Sequence, residues 1–249
     1  QTGKKYVFSI DLAGGGGGDF TVLNVFKVVP LPKKVIEELD DFEDESDFFG
    51  LLQVGVFRDN SIQVEDFKKI VECLLVDIFE PGRVKILLEL NYKGELLMDK
   101  LLNHDLINEE VFVYTKHSET ARTKKPGIKY SGNNKLKYCE NLRQIIRKNR
   151  ALVNEKKWTI AELFSFGMNG RGTYSSQSGH DDVAMTLVNL AALFDSSDFI
   201  DLIEDLYDEI DPSYRSMIEK KVDGDFGSQE EGGMKTKDGG FYGSFNSLL

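Results

Sequence analysis

Five consecutive glycines, Gly14 to Gly18, separate two apolar runs in residues 6–26, YVFSIDLAGGGGGDFTVLNVF. Both runs are rich in β-branched and aromatic residues, the composition of strands on a packed sheet. Glycine lacks a Cβ and turns the chain tightly at little steric cost, so the tract reads as the bend of a β-hairpin. The first strand then ends at Asp11, and Asp19 stands just before the second. A P-loop is excluded, because no Gly-Lys-Ser/Thr follows the glycines. A hairpin at this point commits the chain to a sheet, and the later segments decide which kind.

FFGLLQVGVFRD, residues 48–59, supplies a third strand and completes an antiparallel meander. Val64, Phe67, Ile70, Val71, Leu74, Leu75 and Ile78 recur at helical spacing up to a stop at Pro81-Gly82. RVKILLEL (83–90) is short, apolar and bounded by a turn, which predicts a central strand; GELLMDKLLNH (94–104) reads as a helix and EEVFVYT (109–115) as a strand. Strand, helix, strand in that order implies a parallel portion of the sheet. The expected class is therefore α/β, a mixed sheet of antiparallel meander plus parallel strands flanked by helices.

A long basic loop over 115–132 leads to a helix over 133–150, with Asn133 or Asn134 as its expected cap. WTIAELFSF (158–166) is a short helix, and TYSSQSG (173–179) a loop or edge strand. HDDVAMTLVNLAALF (180–194) is apolar nearly all round, the pattern of a helix buried on every side. Beyond it the character changes, which divides the chain into a domain over 1–196 and, over 197–249, an acidic helical appendage with a glycine-rich, flexible tail from about 222.

The net charge is −11, yet it is unevenly spread: eight acids and no base lie between Glu37 and Asp47, and eleven Lys or Arg against two acids between Lys116 and Arg150. Such polarity excludes a protein that coats nucleic acid over its whole surface and leaves room for one basic contact strip. Stretch 37–47 is too charged for a core and reads as an exposed insertion. Cys73 and Cys139, both in helix-like segments, form neither a disulfide framework nor a zinc ligand set, which fits a reducing, intracellular setting. No apolar run approaches the roughly 18 residues needed to span a bilayer, and no signal peptide is visible.

The acids at element ends carry the chemistry. Asp11 ends the first strand, Glu89 the fourth, and Asp181-Asp182 opens the buried helix. Strand ends of an open sheet converge at one edge, where sites commonly lie. Buried acids are costly unless a cation neutralises them, and in sequence no Lys or Arg stands immediately beside Asp11 or Asp182. A hard divalent ion with oxygen ligands, Mg²⁺ or Mn²⁺, suits this set, whereas three isolated histidines do not make a zinc site. Asp182 falls in the first helical turn, where the macrodipole favours its ionised form.

Taken together, three blocks resemble the nuclease domain of bacteriophage large terminase subunits, an RNase H-like family. They are Asp11 followed by Asp19 across the glycine bend, LLELNYKG with its Glu89-x-Asn91-x-x-Gly94, and GHDDVAMTLVNLA. Across residues 5–195 the resemblance implies a metal-dependent endonuclease that cuts concatemeric double-stranded DNA during genome packaging. It implies two Mg²⁺ or Mn²⁺ ions held by Asp11, Glu89 and Asp182, with Asp181 the lesser of its pair and Asp19 an auxiliary acid. Two such ions can activate water and stabilise both oxygens of a phosphodiester displacement. Arg122, Lys124, Lys125, Lys129, Lys135 and Lys137 become the expected DNA contacts, through phosphates rather than bases.

The family further implies an ATPase motor on the same polypeptide, a portal and a small terminase as partners, and the host cytoplasm as location. No Walker motif lies within this chain. Three rivals stay open: a Holliday-junction resolvase on the same scaffold, an actin-like ATPase domain, and an inactive DNA-binding or assembly module.

Overall fold

The computed structural model describes residues 4–13, 18–40, 42–116, 123–208 and 210–229. The hairpin forms as the flanking strands require: β1 (Tyr6–Asp11) pairs antiparallel with β2 (Thr21–Pro30), Asp11 opposite Val22. Gly14 to Gly17 lie outside the described residues. After α1 (Lys33–Glu38), β3 (Phe49–Asp59) adds to β2, with a bulge at Val25/Phe26. Next come α2 (Val64–Cys73), extended by a π-helical turn over Leu74–Phe79, and β4 (Val84–Leu88), which pairs parallel with β1.

α3 (Tyr92–Leu102) leads to the two-residue strands β5 (Tyr114–Thr115) and β6 (Lys125–Pro126). The basic segment is therefore partly structured rather than all loop. Parallel bridges of Ile86 to Phe112 and Glu89 to Ile128 attach this region to the open side of β4. The chain continues with α4 (Gly132–Arg147), β7 (Ala151–Leu152), α5 (Ala161–Ser165) and a hairpin of β8 (Phe166–Met168) with β9 (Tyr174–Ser176). α6 (Asp182–Phe194) and α7 (Ser197–Tyr207) complete the first unit. The main sheet runs β4-β1-β2-β3-β7. It is a mixed α/β sheet with helices on both faces, the arrangement expected of an RNase H-like fold.

Alternation along the strands sorts side chains to the two faces. Phe8 and Ile10 of the first strand and Leu12 just past it join Ile86, Leu88 and Leu90 in a core closed by Phe67 and Val71 of α2 and Leu97 and Leu101 of α3. Ser9, one residue out of phase, turns the other way and donates to the Thr186 carbonyl of α6 at 2.6 Å. α6 is buried along nearly its whole length, with the sheet on one side and α4 and α7 on others. Its Thr186 belongs to a buried polar chain: Asn24 Nδ2 donates to Thr186 Oγ1 at 3.3 Å, and Gln53 Nε2 to Asn24 Oδ1 at 2.9 Å. A buried polar chain of this kind fixes register, because a slip would orphan each member.

Contacts divide the chain into units Gln1–Ile210 and Asp211–Leu249. The first runs past the boundary expected at 196, since α7 buries Phe199, Leu202, Ile203 and Leu206. Asp198, also buried, accepts from Lys85 Nζ at 2.7 Å and from the Tyr114 backbone N–H at 3.1 Å. In the second unit α8 (Pro212–Gln229) starts with Asp211 Oδ1 accepting from Ser213 N, and it carries helix through 222–229, where the sequence pattern predicts tail. The tail expected beyond 229 lies outside the described residues. Among the described residues no single helix is long and apolar enough to cross a membrane.

Candidate active site

Register brings the first two acids together. β1 and β4 run parallel with Ile10 beside Leu88, so one step further Asp11 stands beside Glu89, both on the face that carries α6. Glu89 N–H lies 3.5 Å from the Ile10 carbonyl at this edge. α6 begins at the same edge, tied to β1 by Ser9 and by Asn189 Nδ2, which donates to the Ile10 carbonyl at 3.4 Å. The Phe20 backbone N–H lies near enough to Asp182 to favour its ionised form, and exposed Asp19 precedes Phe20 in the chain. Asp181 Oδ2 accepts from Ser176 N at 3.2 Å, joining the cluster to β9.

The Glu-x-Asn-x-x-Gly spacing has a direct steric meaning. Asn91 Oδ1 caps α3 by accepting from Gly94 N at 2.9 Å, while its Nδ2 donates to the Leu12 carbonyl at 3.2 Å. The loop after Glu89 is thereby laced to the end of β1. A Cβ at Gly94 would lie 1.9 Å from the Glu89 carbonyl oxygen. Gly94→Ala is therefore expected to destabilise the fold by about 2–4 kcal/mol and to displace Glu89. Urea denaturation checks the first effect, and a melting temperature that no longer responds to Mn²⁺ checks the second.

Electrostatics mark the acids as one group. Burial pushes the Asp11 carboxyl well above its ordinary range, Glu89, Asp182 and Asp181 raise it further, and Lys135 opposes them. Burial likewise raises Glu89, again against Lys135. Asp182 rises to about 6, chiefly through burial, with Asp19, Glu162 and Asp181 adding and the Phe20 N–H subtracting. Burial and like charges thus outweigh the helix dipole that favours ionised Asp182. A cation absent from the sequence neighbourhood of these acids is present in space: half-buried Lys135 on the first turn of α4.

The donor set suits a hard divalent cation. All the side chains offer carboxylate oxygen, and Asp182 Oδ2 is buried with no hydrogen-bond partner among the described residues. His180 Nδ1 stands 3.7 Å from that oxygen, too far to donate well, and its ring meets Phe20 edge-on. Among the described residues no group of three His, Cys, Asp or Glu side chains stands in assembled ligand geometry. The site supplies negative charge and oxygen donors, the types that Mg²⁺ or Mn²⁺ take.

No family model matches this chain.

Several contributors escape a linear reading. The first N–H groups of α6 are capped neither by the Asp pair nor by His180 but by Glu162 of α5, whose Oε2 accepts from Val183 N at 2.8 Å and Ala184 N at 3.2 Å. Its Oε1 pairs with Arg58 at 3.0 Å, and that guanidinium lies over the Phe20 ring. An acid in an otherwise apolar short helix was the only local signal for this clamp. Tyr130 Oη donates to Asn189 Oδ1 at 2.6 Å, so its ring belongs to the support of α6 rather than to a stacking surface. Ser131, not Asn133 or Asn134, caps α4, with Asn134 closing the capping box.

The expected basic contacts separate in space. Lys124, Lys125 and Lys129 are exposed, with Lys129 Nζ 4.0 Å from Glu95. Lys135 faces the acids. Lys137 donates to Asp195 at 2.6 Å, at the far end of α6 from Asp182. Arg122 lies outside the described residues.

Proposed function

We propose that this chain is the metal-dependent DNA endonuclease domain of a viral large terminase, hydrolysing phosphodiester bonds of double-stranded DNA. The observation that carries the reading is that Asp11, Glu89, Asp181 and Asp182 lie about one sheet edge, near enough for the other three to raise Asp11, with each of the three principal acids raised by burial and two of them by their neighbours. A protein keeps mutually repelling buried acids together at a cost in stability, which points to a cationic ligand rather than to folding.

Asp11, Glu89 and Asp182 would hold the ions, with Asp181 and Asp19 beside them. Bound Mg²⁺ or Mn²⁺ would supply activated water and stabilisation of the phosphodiester oxygens. The chain's own residues do the positioning. The Glu162–Arg58 clamp holds the α6 terminus, Asn91 holds the Glu89 loop, and Lys135 keeps positive charge near the acids. Lys124, Lys125 and Lys129, in and beside β6, offer exposed charge to phosphates. In this reading the motor domain, portal and small terminase are the partners, and packaging takes place in the host cytoplasm.

The experiment is incubation of supercoiled plasmid with the purified chain in Mn²⁺, Mg²⁺ or EDTA. Nicked and linear products are expected with either ion and none with EDTA. Cleavage that persists in EDTA, or no cleavage of any duplex or four-way junction with either ion, overturns the assignment. Cleavage confined to junctions would make the protein a resolvase.

A further inference from the structure

Away from the acids, a groove of about 650 Å³ opens between α4, α5 and the β8–β9 hairpin. Its floor is a stripe of α4, Cys139, Leu142, Arg143 and Ile146, spaced i, i+3, i+4, i+7. Leu163, Phe164 and Met168 form the opposite wall. Phe164 is 90% exposed and Met168 49%, so large apolar side chains here face water with nothing over them among the described residues. Apolar surface gathered in a concavity, unlike scattered surface leucines, marks a binding site.

Charge names the occupant. Arg143 lines the groove itself; Arg147 follows one turn on in α4, Arg171 is in the β8–β9 turn, and Lys156 and Lys157 are in the turn before α5, all exposed, against a single exposed acid on these segments, Glu140. Their other acids are engaged: Glu155 accepts from the backbone N–H groups of Lys157, Trp158 and Thr159, and Glu162 binds Arg58 and the start of α6. This basic frame stands out in a chain of net charge −11. An apolar floor at helical spacing with a basic frame complements a helix that is apolar on one face and acidic on its flanks. The acid-rich amphipathic helix of this chain itself, α7, buries its apolar face in its own unit and is not available.

We propose that this groove is a docking site for an acidic amphipathic helix of a partner protein. The inference does not depend on the nuclease reading, because none of the groove residues named belongs to the carboxylate cluster.

The probe is a fluorescein-labelled helical peptide of about 18 residues built from Leu, Ala and Glu with Leu at i, i+3, i+4, i+7. Two controls accompany it, a permuted peptide of equal composition and a version with Lys for Glu. Fluorescence anisotropy against the full chain should give saturable binding of the acidic amphipathic peptide alone. Phe164→Asp and Met168→Asp should each weaken it by about tenfold or more. Arg143→Glu should weaken the acidic peptide and strengthen the lysine version. Melting temperatures of all three variants report on folding, and plasmid cleavage by Phe164→Asp should be unaltered.

No saturable binding, equal binding of the permuted peptide, or insensitivity to Phe164→Asp overturns the proposal. So does a Phe164-dependent dimer in sedimentation, which would make a second copy the occupant. Competition by single-stranded DNA that is itself lost in Phe164→Asp would assign the groove to nucleic acid instead.

Discussion

Asp182→Asn is expected to be more stable than the wild type at pH 8 and unable to cut DNA. The wild-type carboxyl titrates at about 6 in the fold, above its ordinary value near 4 in an unfolded chain. A raised acid contributes stability that is fully present below the unfolded value and is lost as pH rises through the folded one. The asparagine side chain keeps an oxygen for the Phe20 N–H but carries no charge to desolvate. The wild type should therefore lose about 1–3 kcal/mol relative to the variant between pH 4 and pH 8. Urea denaturation of both proteins in EDTA at the two pH values reads this difference.

Asp11→Asn should act in the same direction, since burial and three neighbouring acids all raise its carboxyl. Addition of Mn²⁺ at pH 8 should raise the melting temperature of the wild type, as any ligand of the native state does. The variants should respond far less, and plasmid nicking should fall by at least about 10³-fold. An Asp182→Asn protein less stable than wild type at pH 8 would mark the carboxylate as a structural member of the α6 terminus. Retained cutting would remove Asp182 from the catalytic set.

Arg150→Ala should be the most damaging single change outside the site. Arg150 is buried and reaches across the chain to three acceptors: the Asp47 carboxylate, the Ser46 carbonyl at 2.8 Å and the Phe49 carbonyl at 3.1 Å. Its guanidinium also lies over the rings of Phe194, at 4.4 Å, and Phe199, at 5.4 Å. Burial pulls its pKa down and Asp47 holds it up; an arginine in this setting stays charged. Among the described residues, alanine would leave a buried Asp47 carboxylate supported only by the Glu43 N–H at 2.8 Å.

Removing one partner of a buried pair in this way typically costs about 3–5 kcal/mol. The urea midpoint should fall accordingly. Arg150→Lys should recover only part of the loss, because one ammonium cannot match a planar fork with three acceptors. A midpoint within about 0.5 kcal/mol of the wild type would show that the pair is dispensable.

Arg150 also explains why the acidic stretch 37–47 was misleading as an exposed insertion. Glu37, Glu38, Asp40 and Glu43 are exposed, but Asp47 is buried, as is Phe48 just beyond the stretch. Their place depends on an arginine about a hundred residues away, which no local pattern announces. The α4 face shows the same limit: helical spacing marks it as apolar, yet it buries Cys139 and Leu142 while leaving Ile146 exposed at an open groove.

Local chemistry is enough for the hairpin, the meander and the burial of α6, because each rests on side-chain period, turn residues or unbroken apolar composition. It is also enough to put Asp11, Glu89 and Asp182 at element ends. It does not place β4, which reads as a central strand beside a strand over 109–115. In the fold β4 stands at the end of the main sheet, parallel to β1, while 109–115 keeps only β5 and one bridge to Ile86. Only the folded chain decided what surrounds them: Lys135 arriving from α4, Glu162 capping α6, and burial raising all three acids. Periodicity acts between residues a few positions apart, whereas desolvation and charge act through space, so their balance exists only after distant segments have met.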